Sequence, residues 1–199
     1  MASISAKDVQ ELRARTGAGM MDCKKALEES GGVLDKAVEY LRAKGSAKAE
    51  TRAGRKVSEG VIGSYIHHNG KIAVLVELNC ETDFVARTDD FKDLGKALAE
   101  HIAAASPIAV DKDMVPQEKI DSERRIFIEQ VKASGKPENM IEKIVAGKVD
   151  AYYRDVCLLH QMWVRDPKKS VGDLVKEVAV KTGENIQVRR FVRYQLGEI

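Results

Sequence analysis

Two apolar stretches joined by a tight-turn sequence limit the folds that this chain can adopt. Residues 61–66 and 72–80 are rich in aliphatic and β-branched side chains, and Asn69-Gly70 lies between them. Because an Asn-Gly pair readily adopts the backbone conformations of a two-strand turn, the segment predicts a β-hairpin. Apolar residues fill one face of the second strand and also begin the other face. We therefore expect this strand to be central in its sheet or covered on both sides.

The first 45 residues predict a module of three short helices. Ser5 followed three residues later by Asp8 is typical of a helix N-terminus, because each side chain can bond to the other's backbone N–H group. Thr16–Gly19 then breaks the apolar pattern between the first helix and the second. Apolar residues at one-face spacing predict a third helix, which we expect to stop at Gly45.

The rest of the chain reads as a linker followed by a larger domain. Residues 46–59 are basic, rich in alanine and without a clean apolar stripe, so we interpret them as a linker with some helical character. In residues 60–199 the hairpin precedes four predicted helices and a last strand over residues 186–196. The four helices are expected to start near Thr88, Pro116, Pro137 and Ser170. Helices beside a few antiparallel strands predict an α+β fold.

Charge and cysteine content narrow the class of protein. The 33 Lys and Arg residues nearly match the 31 Asp and Glu residues, which argues against a dedicated nucleic-acid binder with a concentrated basic excess. Cys23, Cys80 and Cys157 are too far apart for a disulfide framework or a CxxC metal pair, and we expect them to be buried. Neither a secretory signal nor a membrane-length apolar run is found. We therefore expect a cytoplasmic protein that does not enter a membrane.

Patterns for catalysis, cofactors and metals are not found in the sequence. Gly17-Ala18-Gly19 is not preceded by a strand and has no third glycine, so it fails as a dinucleotide-binding fingerprint. The chain has no phosphate-binding GxxxxGK[ST] loop and no GxSxG nucleophile elbow. Its four histidines do not approach metal-ligand spacing with the cysteines. We expect no enzymatic activity, no cofactor and no metal site.

The last strand contains a partial match to an RNA-binding motif. Phe191 to Tyr194 fits the second half of an RNP1 octamer, but residues 187–190 do not fit the first half. The strand thus lacks the glycines that let RNA approach a stacking surface. We favour a charged outer sheet face. An RNA- or ribosome-binding protein that uses the basic linker and this strand remains the alternative function.

One connection carries a large apolar residue that no periodic face explains. Thr82 and Asp83 follow the second strand and are typical of a turn, and Phe84 comes directly after them. Phe84 either folds back beside Phe91 or projects as an aromatic contact residue. A similar ambiguity holds for the adjacent methionines 20 and 21, of which only one can easily face the small helical core.

Three long segments resemble the elongation factor Ts family, in the same order along the chain. They are Leu12 to Gly32, Asn79 to Phe91 and Gly183 to Glu198, with NCETDFVARTDDF as the middle one. The resemblance implies guanine nucleotide exchange on elongation factor Tu, in which GDP is released so that GTP can bind. It also implies that the N-terminal helices form a ubiquitin-associated-like module that docks on the partner's GTPase domain.

The resemblance also implies which residues meet the partner. Arg13, Met20 and Met21 match contact positions of the helical module. The segment from Thr82 to Val85 matches the part of the family that dislodges Mg²⁺ from elongation factor Tu. In it Phe84 would intrude beside the switch region, and Asp83 would hold partner groups near it. His67 matches a position that touches a more distant domain of the partner in longer members.

The chain resembles the short form of the family. It has one hairpin and one GENIQVRR segment, where the longest members carry a duplicated core and further helices. The resemblance therefore implies a homodimer, in which two single cores act as one double core. Trp163 stands where phenylalanine is more usual in the family, and we expect it to affect packing more than exchange.

Overall fold

The computed structural model describes residues 4–52 and 54–198, with only the helical backbone described for residues 46–50. The helices in this part are α1 (Ala6–Thr16), α2 (Met20–Glu29), α3 (Leu34–Arg52), α4 (Asp83–Ala86), α5 (Asp89–Ala105), α6 (Gln117–Ala133), α7 (Glu138–Val156) and α8 (Val171–Thr182). The strands are β1 (Glu59–Ile66), β2 (Ile72–Cys80), β3 (Met162–Trp163), β4 (Asp166–Ser170) and β5 (Gln187–Gln195). Helices beside small sheets confirm the predicted α+β class.

The chain forms two compact units that are interleaved along the sequence. The first contains the described residues of Met1–Gly60, Asn79–Lys92 and Val175–Gln187, and the second contains those of Val61–Leu78, Asp93–Leu174 and Val188–Ile199. The domain boundaries predicted after residues 45 and 59 stay a prediction. No helix in the described part of the chain is long and apolar enough to cross a membrane.

The N-terminal helices pack around one small apolar core in the first unit. Ser5 caps α1 as predicted, because its hydroxyl accepts a hydrogen bond from the Asp8 backbone and the Asp8 carboxylate accepts one from the Ser5 backbone. Gly17, in the left-handed conformation at φ 67°, ends that helix. The core residues shared by the three helices are Val9, Leu12, Cys23, Ala26, Leu27, Ala37 and Leu41.

The predicted end of the third helix at Gly45 is wrong, since α3 continues to Arg52. Gly45 is buried, and a Cβ added there would lie 2.9 Å from Cγ1 of Val180 on α8. This glycine therefore permits the close approach of two helices of the first unit. The helix continues beyond it through alanine, lysine and glutamate, which favour helix. Residues 46–52 of the predicted linker are accordingly helical.

The three-stranded sheet has the order β1-β2-β5, which confirms the predicted central strand. Its neighbours run antiparallel: His67 N–H donates to the Ile72 carbonyl at 2.9 Å, and Leu196 N–H donates to the Lys71 carbonyl at 2.8 Å. One face of β2 is buried, at Val74, Val76, Leu78 and Cys80.

Glycine also sets the contact between the sheet and a helix in the second unit. A Cβ on Gly63 of β1 would lie 2.4 Å from the Gly95 carbonyl oxygen on α5, so only glycine allows this approach.

The later helix boundaries follow local signals. Thr88 Oγ1 accepts a hydrogen bond from Phe91 N–H at the start of α5, and prolines 116 and 137 directly precede α6 and α7. Ser170 and Asp173 form the predicted capping pair at α8, with hydrogen bonds of 3.1 and 3.0 Å.

A short hairpin departs from the prediction. The helix expected to reach His160 ends at Val156, and β3 then pairs with β4, in which Asp166 lies opposite Trp163. Asp166-Pro167, predicted as a turn, begins the second strand of this hairpin. A two-residue strand is too short to show alternation, which explains why the sequence did not reveal it.

Candidate functional site

The residues after β2 form a single helical turn that presents Phe84 to solvent. Thr82 is the N-cap of α4, and its hydroxyl accepts a hydrogen bond from Val85 N–H at 3.4 Å. Successive helical residues point about 100° apart, so the turn buries Val85 and Ala86 while Phe84 projects. Phe84 is 79% exposed and Phe91 is fully buried. The alternative in which Phe84 folds back beside Phe91 is therefore wrong. We call Thr82–Ala86 the Phe84 turn.

Asp83 is adjacent to Phe84 in the chain, and its carboxylate can accept hydrogen bonds from a partner. Its Oδ2 is 2.8 Å from Nη2 of Arg87, one helical turn later, and about half of the Asp83 side chain is exposed. A solvent-exposed pair of this kind contributes about 0.3–0.5 kcal/mol. The carboxylate can therefore exchange Arg87 for another hydrogen-bond donor at little cost.

A carboxylate two residues beyond the C-terminal end of α8 holds the start of the Phe84 turn. Oε2 of Glu184 accepts hydrogen bonds from the backbone N–H groups of Glu81 and Thr82, both at 3.0 Å. Its Oε1 accepts a third from the Thr82 hydroxyl at 2.6 Å. Two backbone donors that precede a helix are thus satisfied by one side chain.

A second set of hydrogen bonds runs in the opposite direction. Oε1 of Glu81 accepts a hydrogen bond from Asn185 N–H at 2.7 Å, and Nη1 of Arg55 is 3.4 Å from both Glu81 oxygens. The Asn185 amide donates to the Arg55 carbonyl at 2.9 Å. The hydrogen bond from Asn185, together with the Arg55 charge, lowers the pKa of the Glu81 carboxyl. We call Glu81, Glu184, Asn185 and Arg55 the clamp.

Cys80 is buried next to the Phe84 turn, and its thiol is not expected to be reactive. It is fully buried, and its Sγ donates to the Thr82 carbonyl at 3.2 Å. Burial, and secondly the negative charge of Glu184, raise the pKa of the thiol to about 11. A thiol with such a pKa remains protonated at neutral pH and is a poor nucleophile. The three cysteines are all buried, as predicted.

The methionine pair lies at the start of α2 in the same compact unit. Met20 is 42% exposed and Met21 is 78% exposed, so neither belongs to the helical core. Arg13, in the last turn of α1, is exposed. Gly19 is the N-cap of α2 and has no side chain to cap it. The three predicted docking residues therefore lie at the surface of the helical module.

His67 lies in the second unit, where the β1–β2 turn begins. Its Nδ1 is 3.0 Å from the Tyr65 hydroxyl, and its ring stacks on His68 with centroids 4.2 Å apart. His67 is half-buried and His68 is exposed. In the described part of the chain, no group of three or more His, Cys, Asp or Glu side chains has the arrangement of a metal site.

Comparison with known proteins indicates the family of this chain. A family model described as elongation factor TS matches residues 5–198. The chain belongs to the elongation factor Ts family. Elongation factor Ts of Fervidobacterium nodosum is 58% identical over 98% of this chain and 99% of the relative. That of Myxococcus xanthus is 57% identical over 100% of this chain and 91% of the relative. That of Thermosipho melanesiensis is 56% identical over 98% of this chain and 100% of the relative.

Membership of the elongation factor Ts family supports the main function expected from the sequence. That function is guanine nucleotide exchange on elongation factor Tu during translation elongation. The RNA-binding alternative stays a prediction. In the structure, Nε of Arg190 on β5 is 2.7 Å from Oε2 of Glu77, so this strand's positive charge is partly neutralised.

The structure also reveals residues that sequence reasoning missed. Seven of the eight predicted contact residues lie in the first unit, and His67 lies in the second. Glu184 and Asn185 were not among the predicted residues, although they lie in the third segment that resembles the elongation factor Ts family. They are more than 100 positions from the turn they hold, and no spacing rule covers such a distance. One sequence signal could have drawn attention to them: they are polar residues directly after Gly183, which ends α8 and has φ 78°.

Proposed function

We propose that this chain accelerates GDP release from elongation factor Tu by inserting Phe84 beside the partner's Mg²⁺ and phosphate site. The observation that carries the proposal is the 79% exposure of Phe84 on a turn whose backbone is held by Glu184. A fully buried phenylalanine side chain gains about 1.5–3 kcal/mol relative to an exposed one. Phe84 therefore offers binding free energy that is released only when a partner covers it.

Loss of Mg²⁺ explains how such an insertion would weaken GDP binding. In GTPases Mg²⁺ bridges the nucleotide phosphates and protein oxygens, so its displacement removes a main contribution to nucleotide affinity. Asp83 would accept hydrogen bonds from partner groups beside the same site, after exchanging its exposed Arg87 contact. The coupling is reciprocal: a factor that weakens GDP binding is itself bound more weakly when GDP is present.

Phe84 alone does not supply the whole effect. A 10⁴-fold loss of nucleotide affinity requires about 5.5 kcal/mol of differential binding free energy. The remainder would come from Arg13 and the methionine pair on the helical module, with His67 as a separate contact. Methionine side chains adapt to irregular apolar surfaces, which suits docking on a partner that changes shape. The chain would act in the cytoplasm, without cofactor, metal or covalent chemistry of its own.

We also infer that a second copy of this chain covers the outer face of the sheet. The exposed apolar residues of these strands are Ile62 and Ile66 on β1, Leu75 on β2, and Val192 and Tyr194 on β5. Along β1 and β5 they are separated by even numbers of positions, so those of one strand share a face. Five such residues on one sheet exceed the scattered apolar side chains of an ordinary surface. Light scattering on Leu75→Glu should give a monomer where the parent gives a dimer. Ile126→Glu, on an exposed position of α6, is the matched control.

The exchange proposal is tested by release of a fluorescent GDP analogue from elongation factor Tu in stopped flow. The parent should accelerate release strongly, and Phe84→Ala should reduce the maximal rate about 10- to 100-fold, as the apolar burial implies. Ile126→Ala removes an apolar side chain of the second unit that is 47% exposed, and it should leave the rate unchanged. Absence of acceleration by the parent would refute the exchange function, and an unchanged rate with Phe84→Ala would refute the role of Phe84.

A further inference from the structure

We propose that Glu184 is a positioning residue for nucleotide exchange, because it sets the backbone from which Phe84 projects. The proposal rests on the proposed function of Phe84. Glu184 acts on the two residues that precede α4, because it accepts three hydrogen bonds from Glu81 and Thr82.

The Phe84 turn needs such support because it is short. A helix of four residues forms too few internal hydrogen bonds to offset the cost of helix nucleation. Its cap is also long, at 3.4 Å from Val85 N–H to the Thr82 hydroxyl oxygen. Glu184 accepts a hydrogen bond from the Thr82 hydroxyl, with the two oxygens 2.6 Å apart, and this leaves the lone pairs of the hydroxyl oxygen free to face Val85 N–H. The carboxylate thus orients the cap as well as the backbone.

The rest of the clamp joins the same two segments through hydrogen bonds in the reverse direction. Residues 81–82 donate to Glu184, and Glu81 accepts from Asn185, so the two short segments are joined in both directions. Neither segment can shift without breaking hydrogen bonds of the other. Each backbone donor involved is partly buried. Leaving such a donor without an acceptor would destabilise the folded protein.

The clamp also reaches the segment that follows the helical module. Arg55, three residues after α3 ends, bonds to Glu81 through its guanidinium and to Asn185 through its carbonyl. Both ends of this connection lie in the first unit, as do the methionine pair and Phe84. The clamp therefore connects the Phe84 turn to Arg55, which follows α3, the last helix of the helical module.

Because of the clamp, the Phe84 turn should already have its binding conformation before the partner binds. If the turn sampled several conformations, only a fraction of molecules would present Phe84 correctly, and the apparent affinity of that contact would fall by the same fraction. Fixing a binding group in advance removes this loss. Removal of Glu184 should therefore reduce the maximal rate of GDP release more than it reduces binding through the helical module.

The test compares Glu184→Ala with Glu184→Gln in the full-length protein, by release of a fluorescent GDP analogue from elongation factor Tu. Glutamine can accept the two backbone hydrogen bonds through its oxygen and donate to the Thr82 hydroxyl through its amide nitrogen. We expect Glu184→Gln to keep the maximal rate within about threefold of the parent, and Glu184→Ala to lower it about tenfold or more. An equal loss in both variants would overturn positioning in favour of a direct charge effect.

The Phe84→Ala background separates failure of this inference from failure of the proposed function. If Glu184 acts through Phe84, the double variant Phe84→Ala/Glu184→Ala should be no slower than Phe84→Ala alone. A full Phe84 effect with no Glu184→Ala effect would refute the inference alone. An unchanged rate with Phe84→Ala would refute the proposed role of Phe84, and absence of acceleration by the parent would refute the exchange function.

A second substitution guards against loss of the fold in Glu184→Ala. Thr82→Val removes the hydroxyl at similar volume and Thr82→Ser keeps it, so the valine variant should lose more of the maximal rate than the serine variant. Thermal unfolding of every variant identifies those that retain the parent's fold. Hydrogen exchange should be faster at the Glu81 and Thr82 amides in Glu184→Ala and unchanged in α2. Parent-like protection of both amides would overturn the proposal.

Discussion

The Phe84 turn and the methionine pair both expose apolar side chains, but they are held in opposite ways. Phe84 has a rigid ring on a backbone fixed by Glu184, whose bonds span about half of the chain. Met20 and Met21 have flexible side chains at the start of an ordinary helix, after an N-cap glycine without a side chain. The difference indicates two tasks: the turn places one group accurately, and the methionine pair adapts to the surface it meets.

The largest effect expected from this comparison concerns the shape of residue 84. If placement of a rigid apolar group matters, Phe84→Leu should retain more exchange than Phe84→Ala but fall short of the parent. We expect losses of about 3- to 10-fold and about 10- to 100-fold in the maximal rate of GDP release. Stopped-flow rates at saturating factor measure both variants. A leucine variant no better than alanine would show that apolar character is insufficient.

The next effect concerns the close approach of α3 and α8 at Gly45 in the first unit. Gly45→Ala would place a Cβ 2.9 Å from Val180, and we expect the crowding to exceed the gain in helix propensity by about 1 kcal/mol. Chemical denaturation should show a lower free energy of unfolding. Gly147→Ala on α7 is the matched control, because an added Cβ there meets nothing within 4 Å. It should instead gain about 0.5–1 kcal/mol. Stabilisation by both substitutions would contradict the close helix approach.

A smaller effect is expected at the methionine pair. Met21→Ala removes a flexible side chain that is 78% exposed in the free protein. It should raise the half-saturating concentration of the factor about fivefold, which corresponds to about 1 kcal/mol, with the maximal rate unchanged. Met21→Leu should be close to the parent, since volume is conserved. A fall in the maximal rate with Met21→Ala would contradict the division of tasks.

The smallest effect concerns pH. The folded protein lowers the pKa of the Glu81 carboxyl, so the clamp favours the charged form. Its contribution to stability is complete above the unfolded-state pKa near 4.3 and is lost as pH falls through the lower folded-state pKa. Glu81→Gln keeps an acceptor for Asn185 but cannot titrate. Denaturation of both proteins between pH 3 and 6 should therefore show a shallower loss of stability in the glutamine variant, and parallel curves would contradict this.

Local features of the fold could be predicted from the sequence because they depend on neighbouring residues. The caps at Ser5, Thr88 and Ser170 involve partners three residues away, and alternation in β2 identifies its buried face. The continuation of α3 through Gly45 could not be predicted, because the reason lies in Val180, which is distant in sequence. The β3–β4 hairpin was missed because β3 has only two residues.

At the candidate site, too, the features that could not be predicted depend on residues distant in sequence. Turn-forming residues predicted a connection at Thr82–Asp83, and the apolar Phe84 in it was recognised as unexplained. Whether Phe84 was buried or exposed depended on which neighbours filled the core, and Val85 and Phe91 fill it instead. The positioning role of Glu184 depends on hydrogen bonds across 102 and 103 residues, which only the folded chain brings together.

If Phe84 acts through the Mg²⁺ of elongation factor Tu, its effect should depend on that ion. GDP release should be measured with the parent and with Phe84→Ala, at millimolar Mg²⁺ and again with the ion chelated. We expect the parent to be about 10- to 100-fold faster than the variant when Mg²⁺ is present, and the two rates to converge when it is absent. A ratio that stays the same without Mg²⁺ would contradict action of Phe84 through the ion.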